Sequence, residues 1–336
     1  MSFWHRYTQQ PLARLALVIL SLLAIIGLLA PVIANENPIV VYHKGHFIFP
    51  IVQPTSEADL GGHPSMKSPA HFSESYIINL VNAHGWMIRA PIPYSWHTIS
   101  NSQGANPAPP SKDHWMGTDS KGHDVGAQLI YGLRVSLFMG LSVTFFSMII
   151  SILVGALQGY LGGLTDLLGQ RFIEIWSGMP MLFVLILLSS IMGGSFLSIF
   201  LIILLFSWVP MVGLIRAECL RVRNFDYILA AKAIGVSHTR IIFRHVLPNA
   251  LTASITYFPF LFTSSITTLA ALDYLNFGTK NLPSIGILLR EGKDNLSVPT
   301  LALFGISALA ILLVCFIFVG EGLRHAHDPY HGRKSS

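Results

Sequence analysis

Long runs of apolar residues dominate the hydropathy pattern of this chain, and six of them are long enough to cross a lipid bilayer. A hydrocarbon core of about 30 Å requires about 20 mostly apolar residues in helical conformation. The runs lack the alternation of apolar and polar positions that is typical of barrel strands, so the pattern predicts an all-α membrane protein. The six predicted spans cover residues 15–34, 135–158, 172–191, 196–215, 251–272 and 298–319.

The first run leaves two interpretations open. His5, Arg6 and Arg14 precede it, and residues 32–34 resemble the small-residue cleavage site of a secretory signal peptide. The apolar core of a signal peptide is typically about 7–15 residues long, which is shorter than this run. The length therefore favours a retained transmembrane helix.

The composition narrows the class of protein. Of the 336 residues, 52% are hydrophobic and 11% are charged, and the mean hydropathy is +0.58. Because a soluble domain carries about 25% charged residues, an ordinary cytosolic enzyme, a disordered chain and a coiled coil are excluded. The net charge of +5 does not indicate nucleic-acid binding. Membrane proteins concentrate Lys and Arg on their cytoplasmic side for topological reasons.

The distribution of positive charge predicts the orientation. Lys and Arg are denser in the inner segments if the N-terminus lies inside, which favours both termini in the cytoplasm. Residues 35–133 are polar, proline-rich and aromatic, and we expect them to form an ordered extracytoplasmic module, called the outer module below. The other predicted parts are a tail with the first span at 1–34, a transmembrane core at 134–320 that includes a cytoplasmic loop at 216–249, and a C-terminal tail at 321–336.

The loop between the fourth and fifth spans carries clear local signals in residues 224–249, which we call the elbow. Asp226 is a suitable N-cap for a short alanine-rich helix at 227–234. Gly235 fits the left-handed position that ends such a helix. A second short helix follows, and Pro248 is expected to end it.

Two interpretations of the elbow surface remain open on these residues alone. Small side chains beside a glycine corner leave room for another protein to approach closely, and neighbouring aromatic residues offer anchors. Alternatively, the elbow lies on the inner leaflet with its basic residues toward lipid phosphates. The residues predicted to contact a protein partner are Phe225, Tyr227, Ala230, Ala231, Ala233 and Gly235.

The spacing of Ala230-Ala231, Gly235 and Leu247-Pro248 resembles the EAA loop of permease subunits of binding-protein-dependent ABC importers. The resemblance implies that the elbow contacts an ATP-hydrolysing subunit. It also implies that Leu247 and Pro248 belong to this ATPase-coupling site.

Further motifs narrow the branch of that family. Four segments are similar to the C-type permeases of dipeptide, oligopeptide and nickel importers: 114–125, 131–137, 159–163 and 320–324. The long outer module resembles that of the enterobacterial Yej branch. Five positions depart from the family pattern. They are Leu229 in place of glutamate, His245 in place of isoleucine, His123 in place of arginine, and Glu174 and His325 each in place of aspartate.

The resemblance implies a six-helix type I ABC importer permease fold in the bacterial inner membrane, with a large extracytoplasmic insertion between helices 1 and 2. The implied function is the import of oligopeptides from periplasm to cytoplasm by alternating access, extending in the Yej branch to peptide-nucleotide antibiotics such as microcin C. A dipeptide or nickel importer is the alternative. The implied partners are a homologous second permease, two ABC ATPase domains that are separate or fused in one chain, a periplasmic substrate-binding protein, the peptide substrate and the lipid bilayer.

No catalytic, cofactor or metal site is predicted. The sequence contains no G-x-x-x-x-G-K-[ST] phosphate loop, so ATP is expected on a separate chain. It contains no G-x-S-x-G or H-E-x-x-H motif, which argues against an intramembrane protease, whereas a membrane scaffold remains a third class. Histidines are frequent in the outer module, but only His325 and His327 come close to the spacing of metal ligands.

Hydroxyl residues inside the second and fifth spans indicate either a wet passage or close helix packing, and both interpretations remain open. Asp273 is a candidate for an outer gate, a contact of the binding protein, or a simple interfacial residue. At the start of the third span, Arg171 and Glu174 have the i,i+3 spacing of an ion pair. The candidate path residues are Ser142, Thr144, Ser264, Ser265, Thr267, Thr268 and Asp273.

Overall fold

Helices make up most of the chain in the computed structural model, which describes residues 3–60, 68–100 and 106–327. The helices are α1 (Phe3–Thr8), α2 (Pro11–Leu28), α3 (Ala30–Ile33), α4 (Ser75–His84), α5 (Val125–Leu161), α6 (Gly163–Ser177), α7 (Met181–Met192), α8 (Phe196–Ser207), α9 (Val209–Val222), α10 (Asp226–Ala233), α11 (His238–Ile241), α12 (Leu247–Tyr274), α13 (Ile285–Asp294) and α14 (Pro299–His327). A π-helical turn at Ile242–Val246 joins α11 to α12. The strands are β1 (Val40–His43), β2 (His46–Ile48) and β3 (Gly85–Ile88).

The apolar runs coincide with helices, but two of the predicted spans are not straight. Among the described residues, four helices are long and apolar enough to cross a membrane, namely α2, α5, α12 and α14. The third predicted span is divided into α6 and α7 with a bend of 76°, and the fourth into α8 and α9 with a bend of 42°. Pro180 directly precedes α7 and Pro210 lies in the first turn of α9. Proline cannot donate the backbone hydrogen bond that a continuous helix needs, which favours a break at both positions. Proline does not always break a helix, since α12 continues through Pro259.

One compact unit of the chain comprises the described residues of Met1–Ser21, Ser136–Asn281 and Leu309–Ser336. Within it, α12 packs against α8 and α9. Two glycines on α5 allow a close approach to α9. A side chain at Gly155 would place its Cβ 2.8 Å from Ile215 Cβ, and one at Gly159 would lie 2.6 Å from the carbonyl oxygen of Arg216. Their four-residue spacing puts both glycines on one face of α5, where only hydrogen fits.

The second unit comprises the described residues of Leu22–Val135 and Leu282–Ala308. It contains a three-stranded antiparallel sheet in the order β2-β1-β3, with Val41 opposite Ile48 on one side and Met87 on the other. The core of this sheet region is formed by apolar residues from β1, from α4 and from the segment between β2 and α4: Val41, Leu60, Ala70, Phe72, Ile77 and Val81. The predicted limits of the outer module and of the other parts remain a prediction.

His43 is an unusual member of this sheet because it is 3% exposed and neither ring nitrogen has a hydrogen-bond partner among the described residues. Its ring lies edge-on to that of His84, with 5.8 Å between the centroids. Burial lowers the pKa of His43, and repulsion from Lys44 and His84 lowers it further. The folded chain therefore resists protonation of His43 more strongly than the unfolded chain does.

We expect acidification to destabilise the sheet region. Above the ordinary histidine pKa of about 6.5, His43 is neutral in both the folded and the unfolded chain. The loss of stability therefore begins as the pH falls through that value and continues until the pH has passed the lowered pKa of the folded chain. Hydrogen exchange of the β1 and β3 amides in the full-length protein should show faster opening at acidic pH. His43→Leu should remove this pH dependence. His46→Gln, at the exposed position opposite His43, should retain it, and an equal pH dependence in the His43→Leu protein would contradict the prediction.

Candidate functional site

The corner of the elbow is a C-terminal helix cap that requires glycine. Gly235 has φ +81°, in the left-handed region. The amide of Val236 donates to the carbonyl of Ala231 at 3.0 Å, and the amide of Gly235 donates to that of Lys232 at 3.0 Å. These two bonds form a Schellman motif, in which a β-carbon at the corner residue would be strained.

The start of α10 lies one residue earlier than the sequence indicates. Phe225 is the extended N-cap residue and Asp226 is already the first helical residue. The predicted side-chain cap by Asp226 is therefore wrong. The amides of Ile228 and Leu229 both donate to the carbonyl of Phe225 instead. The carboxylate of Asp226 still lies in the first turn, where it complements the helix dipole.

The second leg of the elbow does not end where proline predicts. After α11, the π-helical turn leads directly into α12, so the backbone stays helical from His238 to Tyr274. Pro248 lies in the first turn of α12. Its missing amide is tolerated there because the widened turn has already interrupted the regular hydrogen-bond pattern. The prediction that Pro248 ends the helix is wrong for this reason.

The elbow has one anchored face and one exposed face. Ile228, Ile241 and Val246 are fully buried in the core of their unit. Of the predicted contact residues, Ala231 and Leu247 pack against this core, whereas Phe225, Tyr227, Ala230, Ala233, Gly235 and Pro248 are exposed.

Two apolar side chains that the sequence interpretation did not include extend the exposed face. Ile234 is 81% exposed and Leu229 is 50% exposed, while Tyr227 beside them is 47% exposed. The signal was present in the sequence, because both are large apolar residues in a loop outside the predicted membrane spans. We call Tyr227, Leu229, Ala230, Ala233, Ile234 and Gly235 the elbow patch.

A bidentate ion pair joins α6 to α9 close to the elbow. The guanidinium of Arg216 donates through Nη2 to Asp166 Oδ2 at 2.7 Å and through Nε to the other carboxylate oxygen. Both side chains are mostly buried. The predicted pair of Arg171 and Glu174 also forms, with 2.6 Å between Nη1 and Oε2, but on the surface.

The segment leading into α5 is held by two histidine–carboxylate pairs. Asp124 Oδ1 accepts from the amide of Ala127 and caps α5, while its Oδ2 lies 2.8 Å from His114 Nδ1. Asp119 Oδ2 lies 2.8 Å from His123 Nδ1. Burial raises the pKa of Asp119, but the hydrogen bonds from His123 outweigh it and hold that pKa below its usual value. The motif residues of this segment therefore have a structural role: they cap α5 and hold the turn that precedes it.

The hydroxyl groups of α12 are used within the helix itself. Ser265, Thr267 and Thr268 donate to backbone carbonyls one turn earlier, at 2.8–2.9 Å, and Ser264 is exposed. On α5, Ser142 is half-buried. Thr144 is fully buried, with no partner for its hydroxyl within the described ranges. The assignment of these residues to a substrate path remains a prediction.

Asp273 lies at the end of α12 and is buried. Its Oδ1 accepts from the backbone amide of Thr279 at 2.6 Å and from the Thr279 hydroxyl at 3.1 Å. A Cβ at Gly278 would lie 1.8 Å from the same oxygen, so only glycine fits there. Asp273 therefore holds the turn that follows α12.

Comparison with known proteins identifies the class. Residues 128–330 match the family described as "Binding-protein-dependent transport system inner membrane component", and residues 1–45 match "N-terminal TM domain of oligopeptide transport permease C". The chain belongs to the family of inner membrane components of binding-protein-dependent transport systems. The resemblance stated from its motifs is confirmed, and so is its place in the inner membrane.

Individual relatives share nearly the whole chain. It is 44% identical over 328 residues to the inner membrane ABC transporter permease protein YejE of Escherichia coli K12, covering 97% of this chain and 96% of that one. It is 42% identical over 334 residues to the peptidoglycan transport system permease protein YejE of Agrobacterium fabrum, covering 92% and 87%. Among solved structures, the MetNI methionine ABC transporter in inward-facing conformations matches with a TM-score of 0.47 and 18% identity, covering 60% of this chain and 97% of that chain.

Proposed function

We propose that this chain is the translocating permease subunit of an ABC importer that carries oligopeptides from periplasm to cytoplasm. Its family supplies membrane components of binding-protein-dependent systems, and its N-terminal match is to a permease for oligopeptides. The chain carries no phosphate-loop motif of its own. Two ATPase domains, separate or fused, therefore supply the energy, and a second homologous permease and a periplasmic binding protein complete the importer.

The elbow patch is the observation that carries this proposal. It exposes apolar side chains next to a glycine corner on a segment whose opposite face is fully anchored. A patch of that kind suits the groove of another protein. The alternative, a helix lying on the inner leaflet, requires an apolar face turned to lipid, whereas Ile228 on α10 is buried in the core of the protein. We assign the patch to the ATPase.

Topology supports a cytoplasmic elbow. If each bent pair crosses the membrane once, α2, α5, α6–α7 and α8–α9 make four crossings before the elbow, and α12 and α14 make two after it. An even number of crossings on each side puts the elbow and both termini on one face. The positive charge of the elbow favours the cytoplasm for that face.

The substrate class rests on the named relatives. The proposed cargo is a short peptide, and peptide-nucleotide antibiotics such as microcin C share its peptide backbone. One relative is named for peptidoglycan transport, which makes peptide fragments of the cell wall the second candidate. The alternative is that the chain belongs to a dipeptide or nickel importer of the same family. The hydroxyl residues of α5 and α12 are proposed to line the path, where weak hydrogen bonds tolerate different side chains.

The proposed docking is tested by Ile234→Glu in the assembled complex. A buried charge without a partner should weaken ATPase association by about tenfold or more. Leu296→Glu is the matched control, because Leu296 is also 81% exposed but lies in the turn between α13 and α14. Association is measured by co-purification of the ATPase and by peptide-stimulated ATP hydrolysis. Equal association in both variants would reject the elbow as the ATPase contact.

A further inference from the structure

Tyr160, in the last turn of α5, contacts both legs of the elbow. Its hydroxyl lies 2.9 Å from Nδ1 of His238, the first residue of α11. The ammonium of Lys232, on α10, lies over its ring at 4.9 Å from the centroid. Tyr160 itself is only 4% exposed. One side chain therefore joins the end of α5 to the residues before and after the corner at Gly235.

Arg223 makes a second connection at the same end of α5. Its Nη1 donates to the carbonyl oxygen of Gly159 at 3.2 Å. A Cβ at Gly162 would lie 2.4 Å from that nitrogen, so the glycine leaves the space that the guanidinium occupies. Because Arg223 follows α9 directly, the start of the elbow is also fixed to α5.

These polar contacts differ in kind from the rest of the elbow's anchorage. Ile228, Ile241 and Val246 bury apolar surface, which holds the elbow against its unit but does not fix its direction. A hydrogen bond constrains distance and angle. A cation above an aromatic face adds a second constraint on position. The contacts of Tyr160 are thus able to fix the angle between the elbow and α5.

We propose that Tyr160 is a positioning residue that locks the elbow to α5, so that a movement of the elbow becomes a movement of this 37-residue helix. The proposal rests on the proposed function, in which the ATPase moves the elbow. Without the lock, closure of the ATPase would rotate the elbow at the corner and at the π-helical turn, and α5 would not move with it. Peptide transport would then fall relative to ATP hydrolysis, while assembly would persist.

The test compares Tyr160→Phe with Tyr7→Phe in the full importer reconstituted in lipid. Tyr7 is the matched control because it is also buried and its hydroxyl also donates a hydrogen bond, to the carbonyl of Ala13. Tyr160→Phe should lower the number of peptides transported per ATP by about two- to tenfold, the equilibrium effect of one hydrogen bond. Tyr7→Phe should leave the ratio unchanged, and both variants should retain the ATPase and show the same small fall in melting temperature, since each loses one hydrogen bond.

A double-mutant cycle separates positioning from general stability. His238→Ala removes the other partner of the bond, so adding it to Tyr160→Phe should cause little further loss of the transport ratio. Lys232→Met should reduce the ratio independently of the hydroxyl. A wild-type ratio in Tyr160→Phe, or losses that simply add in the double variant, would overturn the proposal. If Ile234→Glu also leaves ATPase association intact, the elbow is not the ATPase contact and that part of the proposed function fails. If Ile234→Glu weakens association, only the proposed lock fails.

Discussion

Gly235→Asp is expected to remove most coupling between peptide and ATP hydrolysis while the chain remains folded. Gly235 has φ +81° and no atom within 4 Å of the position that a Cβ would take. Space is therefore available, and the cost is backbone strain of about 1–3 kcal/mol at the corner. The elbow relieves this strain by changing the angle between its legs, and the carboxylate adds a charge to the apolar elbow patch.

The corresponding experiment measures ATPase co-purification and peptide-stimulated hydrolysis in the reconstituted complex. Strain of that size corresponds to about a fivefold to hundredfold loss of association. Gly193→Asp is the matched control, because Gly193 has φ +77° and equally open surroundings. It lies in the turn between α7 and α8, at the far end of the α8–α9 pair from the elbow. A comparable loss in both variants would mean that strain acts through the whole chain and not through the elbow.

Asp166→Ala is expected to lower the stability of the chain, because it breaks the ion pair that joins α6 to α9. The change removes both hydrogen bonds to Arg216 and leaves a mostly buried guanidinium unpaired. Hydrogen bonds to charged groups contribute about 1.5–3 kcal/mol, and we expect the free energy of unfolding to fall by about that amount. The melting temperature of the purified chain in a fixed lipid or detergent environment measures the change.

Glu174→Ala provides the comparison, because Arg171 and Glu174 form an ion pair of similar distance in which both side chains are more than half exposed. A surface pair of this spacing contributes about 0.3–0.5 kcal/mol. The contrast tests burial and bidentate geometry, since both variants delete one carboxylate. If Asp166→Ala proves as mild as Glu174→Ala, the tertiary ion pair does not hold α6 and α9 together.

Several parts of the fold were predictable because they depend on local sequence. The apolar runs identify the membrane helices, since a span needs a fixed length of apolar chain. Gly235 was identified as a left-handed corner from its place after an alanine-rich helix, and its φ confirms this. The surface pair of Arg171 and Glu174 follows from helical spacing alone. Each signal is contained within one or two helical turns.

Other parts were not predictable from local signals. The sequence contains Pro180 and Pro210, but whether an apolar run with a proline stays straight depends on what packs against it. Pro248 was expected to end a helix, yet the π-helical turn before it accommodates the missing amide. The cap of α10 was placed one residue too late, because helix ends depend on backbone bonds that neighbouring residues compete to form.

From the sequence alone it was possible to determine that much of the chain lies in lipid, how many apolar runs it has, and where along the chain the elbow lies. Lipid crossing and backbone chirality act on short stretches of chain, which is why these features were predictable. The family was identified from the motifs. Only the tertiary structure decided which polar groups from distant parts of the chain meet. Asp166 and Arg216 are 50 residues apart, and Tyr160 and His238 are 78 residues apart. The hydrophobic periodicity of the sequence cannot predict such pairs, because they form only when α5, α6, α9 and the elbow pack together. The same packing decided which face of the elbow is buried and which is exposed.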